Sequence, residues 1–534
     1  MLTIKRRIPD FCLRKEKILS IIVYSSFSLI LFIIAILVKS AFSDWYIKEN
    51  GVSFFWTLKP GINGSSPIVW YIEAYNDARY YYVPYLRAFR FENWNPYAGG
   101  SGALNGYAYG PMFIYWLYLI SLLVSLFNPN MAKETMLLDS VKWSHIVFDA
   151  LSVPLLYIII TQLKFLKNNE IRKHGIAVLA SLFLIVSPFN LFYVDGLWLN
   201  IPHMSFFTLL TLFLFIKKHY NGAALSLSIA WMSKQMPLFL FIPFFFIIWK
   251  ERQSLKEAFI AFFIPFLLYT IIISLPWFYF TPYEFLHRVF GPGKPLTVIE
   301  LTPAYYGYTV TLAHSFKFMH IDWLATFYAE INAYQIPFFF FYFIAVLYSY
   351  FYGKEIGESE ELSIIFTTWV IILTHVFIAR GIYKYYNAFL SPFVILSFVV
   401  FFYKKREEFL QWIICLYGKV TKFLLKKLKL KNSKSTSATA IELFGFSLFT
   451  FMVATFYSYS FLIIIKSRYL NPIFLLLLLL FVSLLLPSEL YQTIVQKKKY
   501  IMIKEDIILI LTTICSSIKK LSKKTTAFIT KNKL

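Results

Sequence analysis

The chain has 534 residues, of which 58% are hydrophobic and only 15% are charged, whereas soluble domains carry about 25% charged residues. A soluble fold could not bury that much apolar surface, so lipid must solvate much of the chain. The composition excludes a disordered chain and a collagen-like chain. Three widely separated cysteines, Cys12, Cys415 and Cys515, exclude a disulfide scaffold and a cysteine-based metal site.

The net charge is +24. Basic loops that face the cytoplasm and anionic lipid account for such an excess in a membrane protein. No recognisable nucleic-acid-binding motif accompanies the basic residues, so we expect membrane lipid and no nucleic acid among the partners.

Apolar segments dominate the chain from its first quarter onward. Residues 1–17 are polar and basic, and the apolar run 18–42 is too long for a signal peptide core, so it predicts a signal anchor and first spanning helix. Together with the later segments it predicts an all-α polytopic membrane protein with roughly 11–13 transmembrane helices. The later segments are 111–127, 141–163, 175–193, 199–216, 222–249, 258–277, 336–352, 362–379, 385–403, 440–465 and 470–487.

One apolar segment is interrupted. The stretch 222–249 contains Ser-Lys-Gln-Met-Pro at 233–237, which predicts two half-length helices meeting at a polar break. Membrane proteins tolerate such a break where the backbone lines a cavity.

Loop charges predict the orientation. The loops 403–434 and 497–533 each hold ten basic and two acidic residues, whereas 44–110 holds five of each and 277–335 holds three basic and four acidic residues. The positive-inside rule therefore predicts cytoplasmic N- and C-termini and places 44–110 and 277–335 outside. The basic loop 164–174 conflicts with this count unless 128–163 hides a hairpin or one neighbouring helix does not cross fully.

The first outer loop holds a carboxylate among aromatic residues. Asp77 follows Trp70, Tyr71 and Tyr75, and precedes Arg79. An Asp in this setting suits a general base that deprotonates a hydroxyl, with aromatic faces stacking on sugar rings. Composition alone equally fits an interfacial belt of Tyr and Trp in which Asp77 pairs with Arg79.

Three further stretches carry candidate polar residues. Asp195 lies between two apolar segments, where Asp-Gly also fits a plain turn. Lys234 and Gln235 lie at the polar break, where a cation is costly unless it faces a cavity, binds an anion such as a lipid phosphate, or snorkels to the interface. Arg380 and Lys384 are predicted on the outer side, against the positive-inside trend, where they suit a phosphate or snorkel from a chance loop.

These motifs together resemble the GT-C superfamily of polytopic glycosyltransferases, which use polyprenyl-phosphate-linked sugars. Tyr109-Gly110-Pro111 resembles the Tyr-Pro-Pro helix start of that family, with Gly in the middle position. The stretch 231–239 resembles the Lys-Gln-Met stretch of the dolichyl-phosphate-glucose glucosyltransferases of N-glycan assembly. The segment 195–200 occupies the place of their Asp-His loop without the His, and Lys384-Tyr385-Tyr386 resembles their late loop.

The resemblance implies a transfer, inverting or retaining, at the outer or lumenal face. It implies that Asp77 is the catalytic base and that a donor phosphate is held by Lys234, Arg380, Lys384 and Tyr385. Residues expected to bind the acceptor or the sugar are Arg79, Tyr109, Asp195 and Gln235. A membrane-embedded donor needs no nucleotide pocket, and the outer loop has no Asp-x-Asp motif, so no cofactor and no metal are expected.

The implied organisation has four parts. Residues 1–17 form the cytoplasmic N-terminus, and 18–403 form the GT-C-like catalytic module with outer loops 44–110 and 277–335. Residues 404–439 form a basic interfacial segment and linker, and 440–534 form a transmembrane hairpin with a Lys-rich tail.

The expected function is transfer of a sugar from a polyprenyl-phosphate donor to a glycan, lipid or protein acceptor. Two alternatives stay open: a transporter or flippase for lipid-linked oligosaccharide, which predicts paired broken helices in both halves, and a non-catalytic membrane scaffold.

Overall fold

The computed structural model describes residues 4–50, 78–92, 95–97, 107, 109–166, 169–290, 309–378, 381–383, 385–405, 434–466 and 468–496. By internal contacts the chain divides into Met1–Leu485 and Leu486–Leu534. The first unit contains the candidate site, and the second contains the end of the last described helix.

The main helices described in the first half of the chain number eight. They are α1 (Ile4–Asn50), α2 (Val83–Phe91), α3 (Pro111–Phe127), α4 (Lys133–Thr161), α5 (Glu170–Ile185), α6 (Pro202–Ile216), α7 (Tyr220–Ser233) and α8 (Phe241–Arg252). A π-helical turn, Ala78–Tyr82, leads into α2, and a second one, Leu191–Gly196, follows the short helix Pro188–Asn190 after α5.

The described residues of the second half include nine main helices and a short ladder. The helices are α9 (Leu255–Phe280), α10 (Pro282–Phe290), α11 (Leu312–Phe318), α12 (Asp322–Ala333), α13 (Ile336–Glu358), α14 (Glu360–Phe377), α15 (Tyr386–Lys405), α16 (Lys434–Lys466) and α17 (Asn471–Gln496). Strands β1 (Thr309–Val310) and β2 (Ile382–Tyr383) pair antiparallel, with Thr309 opposite Tyr383.

The described residues include eight helices that are long and apolar enough to cross a membrane. Three shorter apolar helices, Pro111–Phe127, Pro202–Ile216 and Asn471–Leu486, accompany them. The prediction of an all-α polytopic membrane protein is therefore confirmed. Helix α14 lies at the centre, since 94% of its apolar window is buried, whereas α1 and α16, at 11% and 17%, lie at the periphery.

Loops at one end of the bundle contact each other, and most of them are basic, whereas 353–361 holds one lysine and four glutamates. The backbone N–H of Lys164 donates to Glu360 at 2.6 Å, and the ammonium of Lys217 donates to the carbonyl of Gln162 at 3.2 Å. The loops after α4, α6 and α13 therefore meet, and we call this the basic end. Helices that begin there are capped by Asn169, Ser254 and Ser359, whose side chains accept from backbone N–H groups.

At the opposite end, helices begin with proline in the first turn. Pro111, Pro202 and Pro337 occupy those positions in α3, α6 and α13. Proline fits there because the first N–H groups of a helix have no intrahelical partner. The ladder between β1 and β2 also lies at this end and joins two distant connections of the chain.

Helices α3 and α4 form a hairpin that explains the charge conflict around 164–174. Only residues 128–132 separate them, and the rings of Phe113 and His145 lie 6.1 Å apart. Residue 113 is near the start of α3, whereas residue 145 is twelve residues into α4. Helix α3 thus runs away from the basic end, and α4 alone continues to it. This geometry favours the second alternative, a helix that does not cross fully.

Candidate functional site

The polar break after α7 is confirmed. The helix ends because Lys234 adopts extended backbone, with φ −161° and ψ 142°, and Pro237 cannot donate to a continuing helix. A 3₁₀ helix, Met236–Leu240, follows and leads into α8. The break places Lys234 in the interior, where only 5% of the residue is exposed.

Three tyrosine rings and a carbonyl surround the Lys234 ammonium. The Nζ atom donates to the carbonyl of Asn200 at 3.0 Å. It lies 5.8 Å from the ring centroid of Tyr109, 4.9 Å from that of Tyr385 and 4.8 Å from that of Tyr386. Rings within about 6 Å attract a cation through their quadrupole. We call these five residues the Lys234 cluster; they come from four distant segments of the chain.

Glycine at position 110 lets two backbones touch beside the Lys234 cluster. A Cβ at Gly110 would lie 2.1 Å from the carbonyl oxygen of Met232, two residues before Lys234. Because the φ of Gly110 is −70°, space rather than backbone conformation requires the glycine. The Gly in Tyr-Gly-Pro is therefore a packing requirement of this fold.

Tyr107 fixes the same turn. Its hydroxyl donates to the carbonyl of Gly110 at 2.9 Å and accepts from the backbone N–H of Ile114 at 3.1 Å. Burial raises the pKa of Tyr107 well above its ordinary value, because the charged phenolate is disfavoured in an apolar surrounding. The hydroxyl therefore keeps the proton that it donates to Gly110.

The part of the first outer loop that follows Asp77 packs beside the Lys234 cluster. Ala78, the residue after Asp77, is fully buried. The hydroxyl of Tyr82 accepts from the backbone N–H of Asn200 at 3.2 Å, and its ring stacks on His145 at 5.7 Å. The segment that follows Asp77 is therefore packed against the turn that holds Lys234.

Two histidines near the Lys234 cluster each bond through Nδ1 to a backbone carbonyl of their own helix. The Nδ1 atom of His145 lies 2.7 Å from the carbonyl of Val141, and that of His375 lies 2.7 Å from the carbonyl of Ile371. A carbonyl only accepts, so each Nδ1 carries the proton and each Nε2 is an acceptor. Both Nε2 atoms are buried and have no hydrogen-bond partner among the described residues.

A second buried cluster joins α1 to the turn after α5. The Nζ atom of Lys39 contacts the carboxylate of Asp149 and lies 3.1 Å from Oδ2 of Asp195. Asn190 donates to Oδ1 of Asp149 at 2.8 Å. We call Lys39, Asp149 and Asp195 the Lys39 triad. All three residues are buried, as charged groups within a membrane usually are when they pair.

The Lys39 triad adjoins the turn that carries Asn200. The indole N–H of Trp198 donates to Oγ of Ser43 and to the carbonyl of Asp195, both at 3.0 Å. Trp198 has a φ of 51°, which is uncommon outside glycine. Helix α1 therefore holds the turn in the conformation that presents the Asn200 carbonyl to Lys234.

Helix α10 lies next to the break. The amide of Gln235 donates to the carbonyl of Val289 at 3.3 Å. Phe285 and Val289 are buried, whereas Tyr283 on the same helix is 74% exposed. The helix thus packs one apolar face against the interior near Lys234 and turns the other outward.

The structure brings together three of the residues singled out from sequence: Tyr109, Lys234 and Tyr385. Gln235 is adjacent to them but is bonded to α10, and Asp195 belongs to the Lys39 triad. Asp77, Arg380 and Lys384 lie outside the described residues, as does the side chain of Arg79, whose backbone is in the turn Ala78–Tyr82. Their assigned roles stay predictions.

Sequence reasoning assigned no role to Lys39, Asn200 or Tyr386. Lys39 had a usable signal, because a single lysine near the end of the apolar run 18–42 needs a partner at that depth. Tyr386 stood next to Tyr385 and could not be distinguished from an interfacial aromatic. Asn200 contributes its carbonyl, which every residue has, so no side-chain pattern could indicate it.

No group of three or more His, Cys, Asp or Glu side chains in the described ranges is arranged to hold a metal ion. The expected absence of a metal stays a prediction. Comparison of the sequence with protein-family models and with curated proteins finds no match.

Proposed function

We propose that this membrane protein transfers a sugar from a polyprenyl-phosphate-linked donor to a glycan, lipid or protein acceptor at the membrane face opposite the basic end. The Lys234 cluster carries the proposal. A buried lysine at a helix break, bonded to a carbonyl and surrounded by aromatic faces, suits the binding of an anionic group such as a phosphate.

The roles follow from this arrangement and from the resemblance. Lys234, with Arg380, Lys384 and Tyr385, holds the donor phosphate. Asp77 takes the proton from the acceptor hydroxyl, whose oxygen forms a bond to the anomeric carbon of the sugar. The bond between that carbon and the phosphate oxygen breaks, and polyprenyl phosphate leaves with the electron pair.

In this mechanism Lys234 contributes most to stabilisation when the donor phosphate leaves. The charge that develops on the leaving oxygen is stabilised by a cation already in position, and this kind of preorganised contact is often worth about 3–4 kcal/mol. Aromatic walls exclude water, which strengthens the attraction. The rings of Tyr109 and Tyr385 therefore line the site of the cation. Asp195 stabilises the neighbouring turn through Lys39, and Gln235 bonds to α10.

A test uses purified protein in lipid nanodiscs and a polyprenyl-phosphate hexose with a labelled sugar. The lipid-linked glycan fraction of the source cells supplies acceptors, and both polyprenyl phosphate release and label transfer are measured. Lys234→Gln should lower turnover by about 100-fold or more. Lys256→Gln, at an exposed lysine of the basic end, should leave turnover unchanged.

The proposed role of Asp77 as the base is tested separately. Asp77→Asn should abolish transfer while the protein still inserts into the membrane, whereas Asp322→Asn, at an exposed carboxylate paired with Lys317, should not. Full activity in Asp77→Asn would remove the assigned base. Movement of intact donor lipid across the bilayer without release of polyprenyl phosphate would indicate a flippase, and neither activity would leave a scaffold.

A further inference from the structure

Three residues in or near the Lys234 cluster carry polar groups without a hydrogen-bond partner in the described part of the chain. The Nε2 atoms of His145 and His375 and the whole side-chain amide of Asn200 are buried and lack a hydrogen-bond partner among the described residues. These three residues are at most 1% exposed. Unsatisfied buried polar groups are costly, and each needs an explanation.

Their proximity to Lys234 is independently visible. The Lys234 ammonium bonds to the backbone carbonyl of Asn200, whose N–H donates to Tyr82, and the ring of Tyr82 stacks on His145 at 5.7 Å. The ring of His375 also contacts Tyr386 of the Lys234 cluster at 5.2 Å. The three residues therefore lie in or beside the Lys234 cluster, although they come from α4, the turn before α6, and α14.

The hydrogen-bond character of these atoms indicates what they bind. Both imidazole Nε2 atoms accept, because each Nδ1 has already donated to a carbonyl four residues earlier. The ionised phosphodiester of the donor offers no proton to either ring. A hydroxyl group offers one, and the Asn200 amide can both donate to a hydroxyl and accept from it.

We propose that His145, Asn200 and His375 bind hydroxyl groups of the transferred sugar, next to the phosphate at Lys234. This assignment rests on the proposed function and deepens it. It predicts a donor whose ring presents at least two free hydroxyls to the imidazoles. The three are binding residues, and no proton transfer to the reacting atoms is assigned to them.

The first experiment measures binding without transfer. The melting temperature of the wild-type protein in nanodiscs is compared with polyprenyl phosphate alone and with polyprenyl-phosphate hexose. The hexose-bearing lipid should stabilise the protein more. His145→Phe and His375→Phe preserve ring packing, and each should keep the shift given by the bare lipid while losing most of the additional shift. His174→Phe is the matched control, since both His174 nitrogens already have partners near the basic end.

The second experiment measures coupling with donors that lack single hydroxyls. Removing the hydroxyl that a histidine binds should lower wild-type kcat/KM by roughly tenfold, the worth of one hydrogen bond, and should cost little more in the Phe variant of that histidine. A residue with only a structural role would lower kcat/KM by the same factor for every donor.

The outcomes separate this inference from the proposed function. Full transfer of all single-deoxy donors by the wild type would overturn the inference and leave the transferase standing, without any variant having to fold. An additional shift with the hexose lipid that depends on His145 and His375, but no transfer, would keep the inference and remove the transferase. Equal shifts with both lipids would overturn the inference.

Discussion

At the scale of single residues, two neighbouring backbones set the position of Lys234. Gly110 contacts the carbonyl of Met232 in a way that no side chain allows, and Lys234 follows two residues later. A buried cation is attracted to ring faces only over short distances. Small displacements of the Met232 carbonyl therefore change how Lys234 meets Tyr109.

Gly110→Ala should damage both stability and activity. The new Cβ would lie 2.1 Å from a backbone oxygen, which cannot move away without shifting α7 or α3. Overpacking of this kind costs typically 1–3 kcal/mol. We expect a lower melting temperature in nanodiscs and a turnover reduced more strongly than the loss of folded protein explains.

Gly222→Ala provides the comparison. A Cβ there would meet only the flexible end of Leu214, at 3.3 Å, and alanine favours a helix over glycine by up to about 1 kcal/mol. This variant should melt at or above the temperature of the wild type. A Gly110→Ala protein with wild-type melting and turnover would contradict the packing argument.

At the scale of helices, the Lys39 triad fastens the peripheral helix α1 to α4 and to the turn after α5. Its charges sum to one excess negative charge when all three groups are ionised. Taking such groups out of water is costly, and their mutual attraction offsets the cost only while every partner is present. The buried charges of the triad therefore make this part of the α1 packing sensitive to the loss of Lys39.

Lys39→Met should destabilise the protein strongly, by about 3–5 kcal/mol if it behaves like other broken buried pairs, because two carboxylates lose their cation. The triple variant Lys39→Met, Asp149→Asn, Asp195→Asn contains no charge and should recover most of the lost thermal stability. Melting temperatures of the three proteins in the same lipid check this. A triple variant no more stable than Lys39→Met would mean that the side-chain volumes, and not the charges, matter.

Prediction from sequence succeeded for helices where the signal is local. Lys234 and Pro237 interrupt an apolar run, so the break between α7 and α8 could be predicted from a few consecutive residues. Helix α3 is equally apolar, yet its direction depends on packing against α4 and α2, as in the bond from Arg90 to Ser125 at 2.8 Å. Hydropathy reports neither the direction of a helix nor its packing partners, so hydropathy alone predicts 111–127 as a span.

At the scale of the whole molecule, cationic loops and the Lys234 cluster lie at opposite ends of the bundle. With α3 confined to the hairpin, the loop 164–174 falls at the basic end, together with Lys217 and Lys218. Basic loops favour the cytoplasm, so a cytoplasmic basic end is the orientation that most of its loop charges predict, and the acidic loop 353–361 departs from it.

Cysteine labelling tests this topology. In a protein whose three natural cysteines are replaced by serine, Asn130→Cys, between α3 and α4, should react with a membrane-impermeant maleimide from outside the cell. Gln253→Cys, at the basic end between α8 and α9, should react only after the membrane is opened. If α3 crossed the bilayer, both positions would label from the same side.

The site could be predicted only in part. Tyr109, Lys234 and Tyr385 were identified because each stands in a motif-like stretch, and the fold brings them together. Asp195 was also identified, but its engagement with Lys39 could not be foreseen, since the two are 156 residues apart and no local pattern pairs them. The unsatisfied histidine atoms are a property of the tertiary structure alone.

The ladder between β1 and β2 has a mechanical consequence. It pairs only two residues on each strand, yet β2 is followed almost directly by Tyr385 and Tyr386, which face the Lys234 ammonium. A movement that separates those two rings must either break the hydrogen bonds of the ladder or move residues 309–310 as well. The position of the 309–310 connection and the positions of the Tyr385 and Tyr386 rings are therefore coupled.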